Sequence, residues 1–69
     1  MPAMKITVNG KEKEVQQGAT VSQLLEALGL KDRPVAVEVN KRIVRKQEHE
    51  RYELKEGDKV EIVTFVQGG

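Results

Sequence analysis

The end of the sequence is its most unusual feature, because a strongly apolar strand pattern runs almost directly into two glycines. Residues 59–66 form the most apolar strand-like run, and only Gln67 separates it from Gly68 and Gly69. Glycine lacks a Cβ atom, so this pair can thread a narrow channel and approach the backbone of another protein closely. A terminal carboxylate on Gly69 is ionised at neutral pH and is a poor electrophile. Acyl chemistry there requires activation from outside, and we expect ATP on a partner enzyme to supply it; the alternative is an incidental, frayed end.

The same strand pattern leaves two apolar side chains without a clear place in a core. If Val60 and Ile62 point toward a helix on one face of a sheet, Val63 and Phe65 point to the other face. An apolar pair on an uncovered sheet face is a candidate surface for a partner protein. The alternative is that the end of the sheet curls and buries both side chains.

The remaining residues do not form a catalytic set. The sequence has no Cys, and its one His, His49, lies in a polar stretch where we predict a solvated side chain. Ser22 falls within a predicted helix, with no His near it in the sequence. A tight transition-metal site usually needs several nitrogen or sulfur ligands. We therefore expect no metal, no cofactor bound by this chain and no independent enzyme activity.

A basic cluster lies on a predicted short strand and the loop after it, and it consists of Lys41, Arg42, Arg45 and Lys46. One interpretation is a solvated edge that resists aggregation, and the other is a docking face for an acidic partner or RNA. The cluster has no interleaved aromatic residues to stack on bases. The twelve basic and eleven acidic residues of the chain leave a net charge of only +1. We therefore expect no nucleic-acid partner.

Length and composition indicate one small domain. A chain of 69 residues without Cys lies near the lower limit for a fold held by a hydrophobic core alone. No apolar run approaches the ~20 residues of a membrane span, and the N-terminus has no secretory signal pattern. We predict a single cytoplasmic domain over residues 1–69 with no membrane partner. Residues 1–3 are predicted to be a flexible leader and residues 67–69 a flexible C-terminal tail.

Alternation of apolar and polar residues predicts five strands, at residues 4–8, 11–16, 35–39, 43–44 and 59–66. Asn9 and Gly10 favour a tight hairpin between the first two. Residues 45–51 are almost wholly polar and are predicted to form a surface loop, after which Tyr52 and Leu54 return to the core. The last strand is apolar on both faces near its end, so we place it centrally and parallel to the first strand.

One short helix is predicted between the second and third strands. Thr20 and Gln23 have the spacing of a capping box, and Gly29 is placed to end the helix in the left-handed conformation. The apolar residues Val21, Leu24, Leu25 and Leu28 recur at helical spacing and form one stripe. With one helix, the simplest architecture is α+β, a mixed sheet covered on one face.

Several segments, taken in their order and spacing, resemble the ThiS family of sulfur carriers for thiamin biosynthesis. They are residues 6–10, 20–25, 35–40 and 54–63 and the pair Gly68 and Gly69. The resemblance spans nearly the whole chain after Ala3 and implies the ubiquitin-like β-grasp fold.

The resemblance also implies a carrier and not an enzyme. A ThiF-like adenylating enzyme would use ATP to convert the Gly69 carboxylate to an acyl-adenylate. Sulfur from a donor protein's persulfide would then displace AMP and leave a thiocarboxylate that supplies a ThiG-like thiazole synthase. In this scheme Val63 and Phe65 form the docking face, and Val66, Gln67 and Gly68 enter the partner's active site.

Three alternatives remain open at this point. A MoaD-like sulfur carrier for molybdopterin synthesis shares the fold and the glycine pair. A β-grasp module that binds RNA or a regulatory ligand through its sheet and basic edge would make Gly68 and Gly69 incidental. A protein-conjugating modifier would use the same activation chemistry at Gly69.

Overall fold

The structure is a computed structural model and describes residues 2–65. In chain order the elements are β1 (Ala3–Val8), β2 (Lys11–Gln16), α1 (Val21–Ala27), β3 (Val35–Val39), β4 (Arg42–Val44), a 3₁₀ turn (Lys46–Glu48) and β5 (Lys59–Thr64). The predictions for Val66, Gln67, Gly68 and Gly69 lie outside the described residues.

The strands of residues 2–65 form one mixed sheet in the order β2-β1-β5-β3-β4. β5 is parallel to β1, and the other neighbouring strands are antiparallel. The predictions of a central last strand and of its parallel pairing with the first strand are confirmed. The predicted strand start at Met4 is one residue late, because Ala3 already pairs with Gln16.

Helix α1 begins and ends as the sequence predicts. The Thr20 hydroxyl accepts a hydrogen bond from the Gln23 backbone N at 3.2 Å, and the Gln23 side chain accepts one from the Thr20 backbone N at 3.0 Å. At the other end the Leu30 N donates to the Leu25 carbonyl and the Gly29 N to the Glu26 carbonyl, with Gly29 at a φ of 76°. These bonds satisfy polar groups that the helix itself leaves unpaired.

The core lies between α1 and one face of the sheet. Its most buried side chains are Val21 and Leu24 of α1 and, from the strands, Ile6, Val37, Val39 and Val60. Full burial of such a side chain contributes about 1.5–3 kcal/mol, which a seven-residue helix requires because it is marginal alone. Leu54 is buried and Tyr52 is packed against the cluster, which confirms their predicted return to the core.

The prediction of a solvated His49 was wrong, since only 8% of this residue is exposed. Its ring Nε2 lies 3.1 Å from the Val44 carbonyl oxygen. Its own carbonyl accepts a hydrogen bond from the Ser22 backbone N at 2.9 Å. The polar segment, residues 45–51, is thus hydrogen-bonded to the first turn of α1, and His49 points into the protein. The other side chains of this segment are exposed.

Candidate functional site

The strand that leads toward Gly68 and Gly69 is held most extensively by β3. The antiparallel register runs from Val39 opposite Val60 to Val35 opposite Thr64. Beyond the strand, the Phe65 backbone N donates to the Pro34 carbonyl at 3.1 Å. β3 and its preceding loop therefore fix the path of the chain up to residue 65.

On its other side β5 is held by a short parallel ladder and one side chain. The ladder has only two register pairs, Thr7 with Lys59 and Val8 with Val60. The Asn9 backbone N then donates to the Val60 carbonyl at 2.8 Å. The Asn9 side chain replaces a further ladder step, because its Oδ1 accepts from the Ile62 N at 2.8 Å and its Nδ2 donates to the Ile62 carbonyl at 3.1 Å.

The start of β5 is fixed by a second polar network. Asp58 is 9% exposed, and its carboxylate accepts hydrogen bonds from the Lys55 N at 2.8 Å and from Asn40 Nδ2 at 2.9 Å. Asn40 Oδ1 in turn accepts from the Lys59 N at 3.0 Å. The β3–β4 turn and the start of β5 are therefore one hydrogen-bonded unit.

Val63 lies on the face of the sheet opposite α1, and 57% of it is exposed. It is opposite Ala36 of β3, and both neighbouring β5 positions on the helix side, Ile62 and Thr64, point the other way. The interpretation in which the sheet curls and buries Val63 is therefore wrong. Whether Val63 contacts a partner stays a prediction.

Phe65 is 56% exposed but lies in different surroundings. It follows the last residue of β5 and borders an open groove of about 980 Å³ at the end of the sheet. Residues of α1, of the loop before β3 and of the polar segment line the same groove, among them Leu25, Arg33, Pro34, Lys46 and His49. Phe65 therefore lies just beyond β5 and beside the groove, whereas Val63 lies within β5 on the face of the sheet opposite α1.

Ile43 of β4 is the most exposed large apolar side chain of the described residues, at 73%. It pairs with Glu38 and lies, like Val63, on the face of the sheet opposite α1, which we call the open face. The sequence pattern predicts Ile43 to lie in a strand, but its exposure was not predicted. Alternation with its neighbour Val44, which is 3% exposed, is the signal that could have identified it.

The four residues of the basic cluster, Lys41, Arg42, Arg45 and Lys46, are all exposed. Within residues 2–65 the only ion pair joins Lys31 and Glu26, with 4.0 Å between Nζ and Oε2. The cluster therefore has no carboxylate at ion-pair distance in this part of the chain, which is compatible with both a solvated edge and a docking face. Lys46 borders the same groove as Phe65.

The structure brings Ser22 and His49 together but not as a nucleophile and base. They meet through the Ser22 backbone N, and the His49 ring bonds to the Val44 carbonyl. No hydrogen bond joins the Ser22 hydroxyl to that ring among the described residues. Residues 2–65 also contain no group of three metal-ligating side chains. In the same part of the chain, no helix has the length and apolarity needed to cross a bilayer.

The sequence is similar to one protein family and to several proteins of known function. The model of the ThiS family matches residues 3–69. The sulfur carrier protein ThiS of Bacillus subtilis is 38% identical over 65 residues, which are 93% of this chain and 98% of that protein. The thiazole synthases of Paramagnetospirillum magneticum and Magnetococcus marinus are 44% and 39% identical over 66 residues. The chain spans about a fifth of the length of each synthase, 20% in both cases.

Solved structures show the same fold. The crystal structure of the thiamine biosynthesis protein ThiS from Geobacter metallireducens superposes with a TM-score of 0.80 at 35% identity. The superposition covers 96% of this chain and 100% of that chain. Together with the sheet order, this likeness confirms the predicted ubiquitin-like β-grasp fold.

Proposed function

The chain belongs to the ThiS family, and from this premise we propose that it is a sulfur carrier in the synthesis of the thiazole moiety of thiamin. The observation that carries the proposal is the attachment of β5. This central strand is hydrogen-bonded on both sides up to Ile62 and on one side up to Phe65, four residues before Gly69. The body of the protein is thus a fixed platform from which Gly68 and Gly69 are presented.

In the proposed reaction, a ThiF-like adenylating enzyme activates Gly69. An oxygen of the Gly69 carboxylate attacks the α-phosphate of ATP, which forms an acyl-adenylate and releases pyrophosphate. The terminal sulfur of a persulfide on a donor protein then attacks the acyl carbon and releases AMP. A thiol cleaves the resulting acyl disulfide and leaves the thiocarboxylate. This chain contributes only the acyl group, because it has no Cys to supply sulfur, and all catalysis comes from its partners.

We extend the proposal to delivery of the sulfur to a ThiG-like thiazole synthase. Two thiazole synthases contain a segment similar to this chain within a much longer polypeptide, which supports a working relationship between the two units. Val66, Gln67 and Gly68 would enter the synthase with Gly69. Four extended residues after Phe65 span about 13–14 Å, enough to reach an active site below a protein surface.

Docking by Val63 and Phe65 is part of the same proposal. Both side chains are more than half exposed and lie next to the segment that the partner must receive.

Because activation consumes ATP, we place the reaction in the cytoplasm.

The decisive experiment is to incubate the protein with a ThiF-like enzyme, ATP, a persulfide donor and a thiol, and to measure its intact mass. We expect one oxygen to be replaced by sulfur, with the change located at Gly69 by fragmentation. Removing Gly69, or adding one residue after it, should abolish the change while circular dichroism shows a folded protein.

An unchanged mass, with an enzyme that modifies another ThiS protein in the same assay, would contradict the proposal. A thiocarboxylate that supplies molybdopterin synthase but not thiazole synthase would identify the MoaD-like alternative. Isopeptide linkage of Gly69 to lysines would identify a protein modifier.

A further inference from the structure

The groove beside Phe65 has a volume of about 980 Å³ and lies where β5 ends. Its walls come from α1, from the loop before β3 and from the polar segment. Leu25, Pro34 and Val35 make part of these walls apolar. Residues 2–65 leave this space open, so an occupant has to come from outside them.

His49 presents a hydrogen-bond acceptor to the groove. The Val44 carbonyl can only accept, so the ring Nε2, 3.1 Å from that oxygen, carries the hydrogen. In the neutral ring Nδ1 is then an acceptor. Among the described residues Nδ1 has no hydrogen-bond partner, and no unpaired side-chain nitrogen or oxygen there is fully buried. Nδ1 is therefore accessible although only 8% of His49 is exposed, and the groove is the open space that His49 borders.

The positive charge around the groove is only partly neutralised by the described chain. The groove is lined by three basic and two acidic side chains, Lys31, Arg33, Lys46, Asp32 and Glu50. Lys31 forms the single ion pair found in residues 2–65, with Glu26. Arg33 and Lys46 thus have no carboxylate within 4.0 Å in that range. Cations, an accessible acceptor and an apolar wall together suit the carboxyl end of a peptide, which has a carboxylate and backbone N–H donors.

We propose that the groove binds residues 66–69 of the same chain, with the Gly69 carboxylate held by Arg33 and Lys46. The adenylating enzyme must then displace this segment before it can receive Gly69. The contact needs a free carboxylate at Gly69, and its consequence for activation rests on the proposed function.

The path of β5 supports this occupant. Phe65 borders the groove, and its backbone N is held by the Pro34 carbonyl at 3.1 Å. The four residues after it extend about 13–14 Å, so the segment begins at the groove and need not cross the protein to reach it. The alternation of the sequence predicts Val66 on the same side as Ile62, which is the side of α1. The two glycines have no Cβ atoms and can bring a backbone N–H close to His49 Nδ1.

Modest contacts are enough for such an intrachain interaction. An exposed ion pair contributes little, but a segment attached to Phe65 is present at a high effective concentration. An enzyme that binds only the open form has its apparent affinity reduced by the open fraction. If about 70% of the molecules are closed, the apparent affinity falls about threefold.

The first test uses the isolated protein and the amide NMR resonance of Gly69. R33Q/K46Q removes both cations from the groove. The matched control, K41Q/R42Q, also removes one lysine and one arginine charge, from exposed positions outside the groove. We expect R33Q/K46Q to shift the Gly69 resonance and K41Q/R42Q to leave it in place. High salt should move the wild-type resonance toward that of R33Q/K46Q.

A truncated chain without Gly68 and Gly69 tests the same contact with the groove intact. Its amide resonances for Arg33, Val35 and His49 should differ from those of wild type. An unshifted Gly69 resonance in R33Q/K46Q, an equal shift in K41Q/R42Q, or unchanged groove resonances in the truncated chain would each overturn the proposal. Shifts that depend on protein concentration would assign the groove to a second copy and would also overturn it.

The second test measures activation by a purified ThiF-like enzyme through ATP–pyrophosphate exchange. KM for R33Q/K46Q should be about threefold lower than for wild type, with kcat unchanged. An unchanged or higher KM, or a similar fall for K41Q/R42Q, would overturn the competition between groove and enzyme. A wild type that is not activated at all contradicts the proposed function, whereas the NMR comparison needs no enzyme and tests the groove contact separately.

Discussion

The Asn9 side chain is hydrogen-bonded to both the backbone N and the backbone carbonyl of Ile62, which lies 53 positions later in the sequence. Asn9 also begins the turn between β1 and β2, with a φ of 51°. One residue therefore closes the first hairpin and fixes the strand that leads to Gly69. Asn suits both tasks, because it tolerates a positive φ better than most residues and its carboxamide has a donor and an acceptor.

Replacing Asn9 should lower stability through two separable effects. We expect Asn9→Gly to reduce the free energy of unfolding by about 1–3 kcal/mol, since the Ile62 N and carbonyl lose their partner. Asn9→Ala should be less stable still, by about 1 kcal/mol, because Ala disfavours a positive φ that Gly accepts. Urea denaturation of the three proteins measures both differences. An Asn9→Gly variant as stable as wild type would show that water replaces the carboxamide without loss.

Asp58 should be a stabilising residue of the β5 start. Asp58→Ala leaves the Lys55 N and the Asn40 side chain without their acceptor, and we expect a loss of about 1–3 kcal/mol in the free energy of unfolding. Asp32→Ala is the control, because Asp32 is exposed, and it should change stability by less than about 0.5 kcal/mol. Equal stabilities of the two variants would contradict a structural role for the network.

Leu24 should contribute more to stability than any exposed apolar residue of the sheet. It is 1% exposed in the core cluster, and Leu24→Ala should cost about 2–5 kcal/mol through lost burial and a cavity. Ile43→Ala removes a similar side chain from the open face and should cost less than about 1 kcal/mol. Thermal unfolding of both variants tests this contrast. A large loss for Ile43→Ala would mean that the open face is part of the core.

Local features of the sequence predicted most of the fold because they act within a few residues. The capping box at Thr20, the C′ residue Gly29 and the hairpin at Asn9 and Gly10 each depend on short spacing alone. The central position of β5 was also predicted, from the apolar residues near its end, although one of these, Val63, is 57% exposed on the face opposite α1. Patterns within a few residues of each other were therefore enough to predict the number, order and type of the main elements.

Contacts between distant segments were not predictable in the same way. The burial of His49 depends on the Val44 carbonyl and on the backbone of α1, which a polar local composition does not indicate. The pairing of Glu38 with Glu61 depends on the β3–β5 register, and a shift of one residue would move each to the other face. The role of Asn9 beyond its turn likewise required the parallel β1–β5 pairing to be known.

Val63 and Phe65 lie in different surroundings, and substitutions should show whether a partner contacts both. Val63→Ser and Phe65→Ser should each alter the free energy of unfolding by less than about 1 kcal/mol, because more than half of each side chain is exposed. If both side chains contact the adenylating enzyme, each substitution should raise the KM of that enzyme for this protein, because the complex then buries less apolar area. The KM is measured by ATP–pyrophosphate exchange. Ala27→Ser, on an exposed part of α1, is the control and should leave KM unchanged. A normal KM for Phe65→Ser with a raised KM for Val63→Ser would restrict docking to the open face and exclude the groove beside Phe65.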